Sequence, residues 1–175
     1  RPPLRTDDTT MGPGIRIQPL GGIGRFGANS MIVEDCVAHA ALVIDCGVRL
    51  TTDEPFGFDV ALADLWPLSR LHSELWGYMV THAHEDHVGA VGHTFEHLGA
   101  PIHARAFTAN IARGKLAEYG IEGRAVKTAA PWPETVQTGP FTVGFLPISH
   151  SIPESSGLVI DTPAGRVIHS GDFKI

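Results

Sequence analysis

Thr81-His82-Ala83-His84-Glu85-Asp86-His87 is the stretch on which the fold turns. It closes the short apolar run 76–81 and precedes Val88, Val91, Phe95 and Leu98, which recur at helical spacing before Gly99. The segment therefore leaves a buried strand and enters a helix. In extended backbone alternate side chains share a face, so His82 and His84 point the same way and can meet one cation. Asp86 is expected at the helix N-cap and His87 in the first turn, where the pair can face a second ion. Imidazole and carboxylate donors in an open arrangement suit Zn²⁺. A polar loop that happens to carry three histidines is the competing reading. Four donors within six positions at a strand end argue against it.

Two later segments repeat the pattern of a polar donor just past an apolar strand. Pro147-Ile148-Ser149-His150-Ser151-Ile152-Pro153 offers His150, and Val167-Ile168-His169-Ser170-Gly171-Asp172 offers Asp172. Side chains at strand ends of an α/β layer can converge on one cleft. Two cations held close together need a carboxylate between them to offset their repulsion.

Around these segments the chain reads as strands, then strand–helix alternation, then strands again. A strand is expected at 15–20, a flexible glycine loop at 21–27, and a strand pair at 30–37 and 40–45. Residues 47–58 read as loop, and a short helix is expected within 60–75, with Pro67 interrupting it or starting a turn. A brief strand at 102–104 and a helix over 106–119, ended by Gly120, follow. Strands are expected at 135–137, 141–147, 157–161 and 166–170, the last two joined by the Pro163-Ala164-Gly165 turn. The order predicts a layered α/β protein.

These segments together resemble the metallo-β-lactamase superfamily and, within its β-CASP group, the ribonuclease J family. The resemblance runs from about Ile15 to the end of the chain. Besides the His82–His87 motif it rests on Leu20-Gly21-Gly22-Ile23-Gly24 with Gly27 and Asn29, on Val43-Ile44-Asp45-Cys46-Gly47, on Ser149-His150-Ser151-Ile152-Pro153 and on Ser170-Gly171-Asp172-Phe173-Lys174. The family usually has Glu and Lys in the glycine loop, where this chain has Arg25 and Ala28.

The resemblance implies an αββα sandwich of which residues 15–175 form the N-terminal larger part, ending ahead of the β-CASP insertion, with residues 1–14 as a disordered lead-in. It implies two Zn²⁺ ions: His82, His84 and His150 on one, Asp86 and His87 on the other, and Asp172 bridging them. Asp45 is expected to steady the histidine loop from behind, or simply to form the turn before Cys46 and Gly47. The implied activity is hydrolysis of RNA phosphodiesters by water activated at the zinc pair, with Asp86 orienting that water or taking its proton. Endonucleolytic and 5′-exonucleolytic cleavage both stay open. The family completes the second zinc with a late histidine and covers RNA with its β-CASP lid, so 175 residues alone are expected to be a fragment with little activity. Any homo-oligomer is expected to form through other segments. The same dinuclear site serves thioesters and lactones, and a non-catalytic domain binding metal or a partner chain is a further alternative.

Composition narrows the field. A formal net charge of −6 argues against a whole-surface grip on nucleic acid, though bound cations would concentrate positive charge in one cleft. No stretch approaches the roughly 18 uninterrupted apolar residues of a membrane span, and the first residues have no signal-peptide core, so a cytoplasmic protein is expected. Cys36 and Cys46 make no CxxC pair, and Cys46 reads as a small buried residue. His93-Thr94-Phe95-Glu96-His97 spells H-x-x-E-H, but Phe95 belongs to the apolar stripe, which turns both histidines toward solvent. Gly22-Ile23-Gly24-Arg25-Phe26-Gly27 matches G-x-G-x-x-G, yet a strand is expected next, which disfavours a dinucleotide site. Arg105, Arg113, Lys115, Arg124 and Lys127 form either a solvated face or part of an RNA track.

Overall fold

Alternating apolar positions and tight glycine turns produce the strands as expected, and the strands stack into two packed sheets. The computed structural model describes residues 13–51 and 57–175. Most of the expected lead-in, residues 1–12, and part of the expected 47–58 loop lie outside the described residues. The elements in chain order are β1 (Ile15–Gly21), β2 (Ser30–Asp35), β3 (Ala40–Ile44), β4 (Val48–Leu50), β5 (Val60–Leu62), β6 (Glu74–Val80), α1 (Glu85–Val88), α2 (Val91–Leu98), β7 (Ile102–Ala104), α3 (Ala106–Ala117), β8 (Val126–Thr128), β9 (Thr135–Thr138), β10 (Phe141–Pro147), β11 (Ser156–Thr162) and β12 (Gly165–His169).

Six strands form the first sheet in the order β1-β2-β3-β6-β7-β8, and four form the second as β12-β11-β10-β9. β1, β2 and β3 pair antiparallel, whereas β3, β6, β7 and β8 run parallel, with α1 and α2 crossing from β6 to β7 and α3 from β7 to β8. The period of two in each central strand feeds two cores at once. Ala41, Val43, Tyr78, Val80 and Ile102 pack under the helices against Val88, Val91, Ala112 and Leu116. Leu42, Ile44 and Met79 face the other way, onto Phe141, Val143, Phe145, Leu158 and Ile160 of the second sheet. This is the expected α/β sandwich, and Cys46 is buried in it as expected. Among the described residues no helix is long and apolar enough to cross a membrane.

Three local expectations need correction. The helix expected within 60–75 is instead strand β5 followed by one 3₁₀ turn at Leu68–Arg70. Pro67, with its fixed φ, opens that turn, and Arg70 stacks on Trp66 at 4.3 Å rather than continuing a helix. β4 and β5 pair as a small two-stranded sheet where loop and helix were expected. The single helix expected through Val88 and Leu98 is two, α1 and α2, separated at Gly89 and Ala90. The three-residue strand β8, which closes the edge of the first sheet, had no expectation attached to it.

Candidate metal centre

Four strands end at one place. β3 delivers Asp45, β6 delivers residues 81–87, the loop after β10 delivers His150, and the chain after β12 delivers Asp172. Asp45 is the pivot. It adopts φ +59°, a left-handed conformation that turns the chain sharply after β3 and that Asp tolerates better than most residues. Its carboxylate accepts from the Thr81 amide at 2.7 Å and from Thr81 Oγ1 at 2.9 Å, and it receives His87 Nδ1 at 2.7 Å. Asp45 thus makes the turn after β3 and, through Nδ1, holds the His87 ring with Nε2 on the side of Asp172. A carboxylate behind a histidine in this way sets the ring's orientation and raises its basicity.

Two groups of donors lie side by side and share His82. In the first, His82, His84 and His150 each bring a ring nitrogen within 4.8 Å of the others. His82 Nε2 and His150 Nε2 lie 3.1 and 3.2 Å from His84 Nδ1. Tetrahedral Zn–N bonds of 2.0–2.1 Å require nitrogens about 3.3 Å apart, so these three imidazoles fit one ion with little movement. In the second group, His82, His87 and Asp172 converge within the same limit. His87 Nε2 is 3.3 Å from Asp172 Oδ2 and 3.6 Å from Asp86 Oδ2. Both groups can coordinate a metal ion.

Electrostatics sorts the rings. Burial pushes His82 down to about 4, helped by the positive field of His87, so at neutral pH the ring is uncharged and one of its nitrogens keeps a free lone pair. Burial, then His84, likewise lowers His150. His87 goes the other way. Burial opposes its charge, but the hydrogen bond and charge of Asp45, with Asp172 and Asp86 beyond, raise it to about 9. The acidic side of the cleft therefore attracts positive charge at His87, and a cation can take the proton's place there.

Asp86 is not the N-cap expected of it. His84 holds the N-cap position, and Glu85 and Asp86 fall in the first turn of α1. A negative side chain there still sits favourably at the positive end of the helix. Asn29 is a site residue to which the sequence reading gave no role at the metals. Its Nδ2 donates to Asp86 Oδ2 at 3.1 Å and lies 3.0 Å from His87 Nε2. Its amide donates to the Asp86 carbonyl, while its own carbonyl accepts from Gly47. The signal was the glycine loop: Gly22, at φ +82°, leaves room where a Cβ would lie 2.3 Å from Asn29 Oδ1.

Four of the cations read as either a solvated face or part of an RNA track have partners within the chain. Arg105 pairs with Glu154, Lys115 with Glu85 and Arg124 with Glu122, while Arg113 binds the Val126 carbonyl and Thr128. His97 is exposed on α2 and Phe95 packs toward the core, as expected, whereas His93 is half-buried.

A family model described as the metallo-beta-lactamase superfamily matches residues 23–175, nearly the whole chain. The chain belongs to the metallo-β-lactamase superfamily. Within it, ribonuclease J of Helicobacter pylori (strain ATCC 700392 / 26695) is 35% identical over 166 residues, covering 92% of this chain and 23% of the relative. Ribonuclease J of Sinorhizobium meliloti is 36% identical over 159 residues, covering 90% of this chain and 28% of the relative. The chain thus spans about a quarter of the length of these relatives. Among solved structures, a protein of unknown function from Enterococcus faecalis V583 superposes with a TM-score of 0.63 at 18% identity, covering 91% of this chain and 44% of the other. That likeness is one of fold. It agrees with the two-sheet sandwich.

Proposed function

We propose that this chain is the N-terminal larger part of the lactamase domain of a zinc-dependent RNA phosphodiesterase of the ribonuclease J type. The observation that carries the reading is the pair of adjoining donor groups sharing His82, in a chain 35% identical to ribonuclease J across 92% of its length. His82, His84 and His150 would hold one zinc ion, Asp86 and His87 would hold the other, and Asp172 would serve both. When bound, the ions supply Lewis acidity and draw a nucleophile from water near neutral pH. Asn29 engages one oxygen of Asp86 and leaves the other to orient the water or accept its proton. Asp45 keeps His87 aimed into the cleft. RNA is the partner, held by its phosphate at the site.

The test is hydrolysis of 5′-monophosphorylated single-stranded RNA by the zinc-loaded, full-length protein. Turnover is expected, and Asp86→Asn should reduce it about 100-fold or more and weaken the second zinc ion while the first is retained. Asp172→Ala should lower zinc content by one ion and leave the first in place. Hydrolysis of a thioester or lactone with none of RNA would assign the site to another bond. Bound zinc without hydrolysis of any of these would assign it to binding.

A further inference from the structure

Helix α2 carries a third group of donors, set apart from the two at the strand ends. His93, Glu96 and His97 each present one ligand atom within 4.8 Å of the other two. The spacing is that of one helical turn, and it puts the three side chains on one face. Val91 is buried and Phe95 packs against the core, which fixes the rotation of the helix and keeps the His93–His97 face outward. The two imidazoles lie with ring centroids 4.6 Å apart, tilted by 48°.

The ring of His97 is already oriented. Its Nδ1 lies 2.9 Å from the His93 carbonyl, and a carbonyl can only accept, so Nδ1 carries the hydrogen. Nε2 is left as the outward donor. An imidazole that gives one N–H to a backbone carbonyl while the other nitrogen faces outward is the arrangement usual in metal-ligating histidines. Glu96 and His97 are exposed and His93 is half-buried, so their side chains can rotate through the small distance needed to close on an ion. A cavity of about 400 Å³ lies over the histidines, lined also by Asp64, Leu65 and Ser69. Asp64 adds negative charge to a space that the two imidazoles already enter.

We propose that His93, Glu96 and His97 form an additional site for a divalent transition-metal ion on α2, separate from the strand-end centre and weaker than it. Two imidazoles and one carboxylate with open positions select copper, nickel or zinc over magnesium or calcium. The site is weaker because two of its three donors are exposed and must lose rotamer freedom on binding. The hydrolytic reading of the strand-end centre is not required for it.

The test is a titration of the full-length protein, already loaded with zinc, with Ni²⁺ followed by calorimetry and with Cu²⁺ followed by electron paramagnetic resonance. One further equivalent of Ni²⁺ is expected above the zinc content, and bound Cu²⁺ should show coupling to two nitrogens. The double variant His93→Gln/His97→Gln should lose that equivalent and that coupling while retaining its zinc and its circular dichroism. Glu96→Gln should keep the nitrogen coupling and bind more weakly. His97→Gln alone, a change at an exposed position, should leave coupling to a single nitrogen. An unchanged Ni²⁺ equivalent and an unchanged copper spectrum in the double variant would overturn the proposal. So would the absence of any further equivalent in the parent.

Discussion

Gly47 shows how little room the donors leave for the chain that supports them. A Cβ there would lie 1.6 Å from the Asp86 carbonyl oxygen and 2.7 Å from the His87 amide. Its own amide meanwhile donates to Asn29, and the neighbouring Cys46 amide donates to the His87 carbonyl at 2.7 Å. The turn after β3 therefore runs backbone to backbone against the turn that carries Asp86 and His87. Gly47→Ala is expected to push those two residues out of position and to destabilise the chain by about 3 kcal/mol. Denaturant unfolding and zinc content measured together check this. Unchanged stability with full zinc content would show that the two turns can separate at no cost. At this scale the sequence was informative where donors follow strands, as with His82, His84, His150 and Asp172. It was less so for Asn29 and Gly47, whose roles rest on contacts across more than 35 residues that no local pattern encodes.

At the scale of elements, what was legible depended on length and on which faces are buried. β3 and β10, with buried faces, were placed to within a residue or two. β4, β5 and β8 have three residues each and lie at a surface or an edge, so their periodicity is too short to stand out. The break between α1 and α2 was hidden because Val88, Val91 and Phe95 keep one apolar stripe across it. Connections between the sheets are equally invisible in the sequence, and Asp35 is the clearest of them. Its buried carboxylate accepts from the Val37 and Ala38 amides at 2.8 Å in the β2–β3 turn, and from the Ala164 amide at 3.0 Å in the β11–β12 turn. Burial works against its charge, but these hydrogen bonds outweigh it and hold the carboxyl below its ordinary range. A depressed folded-state value contributes stability that is present above the unfolded value, near 3.8, and lost as pH falls through the folded one. Asp35→Ala should cost about 2 kcal/mol at neutral pH and flatten the acid limb of the stability curve. An acid limb as steep as the parent's, in urea melts from pH 6 down to about 2, would remove Asp35 from this role.

Across the whole molecule, the donors are divided between the two sheets. His82, His84, Asp86 and His87 follow β6 of the first, whereas His150 and Asp172 follow β10 and β12 of the second. Besides polar links such as Asp35 to the β11–β12 turn, the sheets meet through the apolar layer of Leu42, Ile44, Phe141, Phe145 and Leu158, which does not favour one ion over another. Zinc held by His82, His84 and His150, as proposed, would thus be a cross-link at the open end of the sandwich, formed only in the folded chain. Ligand that binds the folded state alone stabilises it by about 2.7 kcal/mol at 100 times its dissociation constant. For a chain of this size that corresponds to a rise in melting temperature of roughly 5–10 °C, reversed by a chelator. His150→Ala removes the second sheet's imidazole while leaving β6 and its two histidines untouched, so most of that rise should vanish although His82 and His84 can still meet a metal. Calorimetric melts of parent and variant, each with zinc and with chelator, separate the cross-link from simple binding. A zinc-dependent rise of the same size in His150→Ala would mean that the ion is held by the first sheet alone.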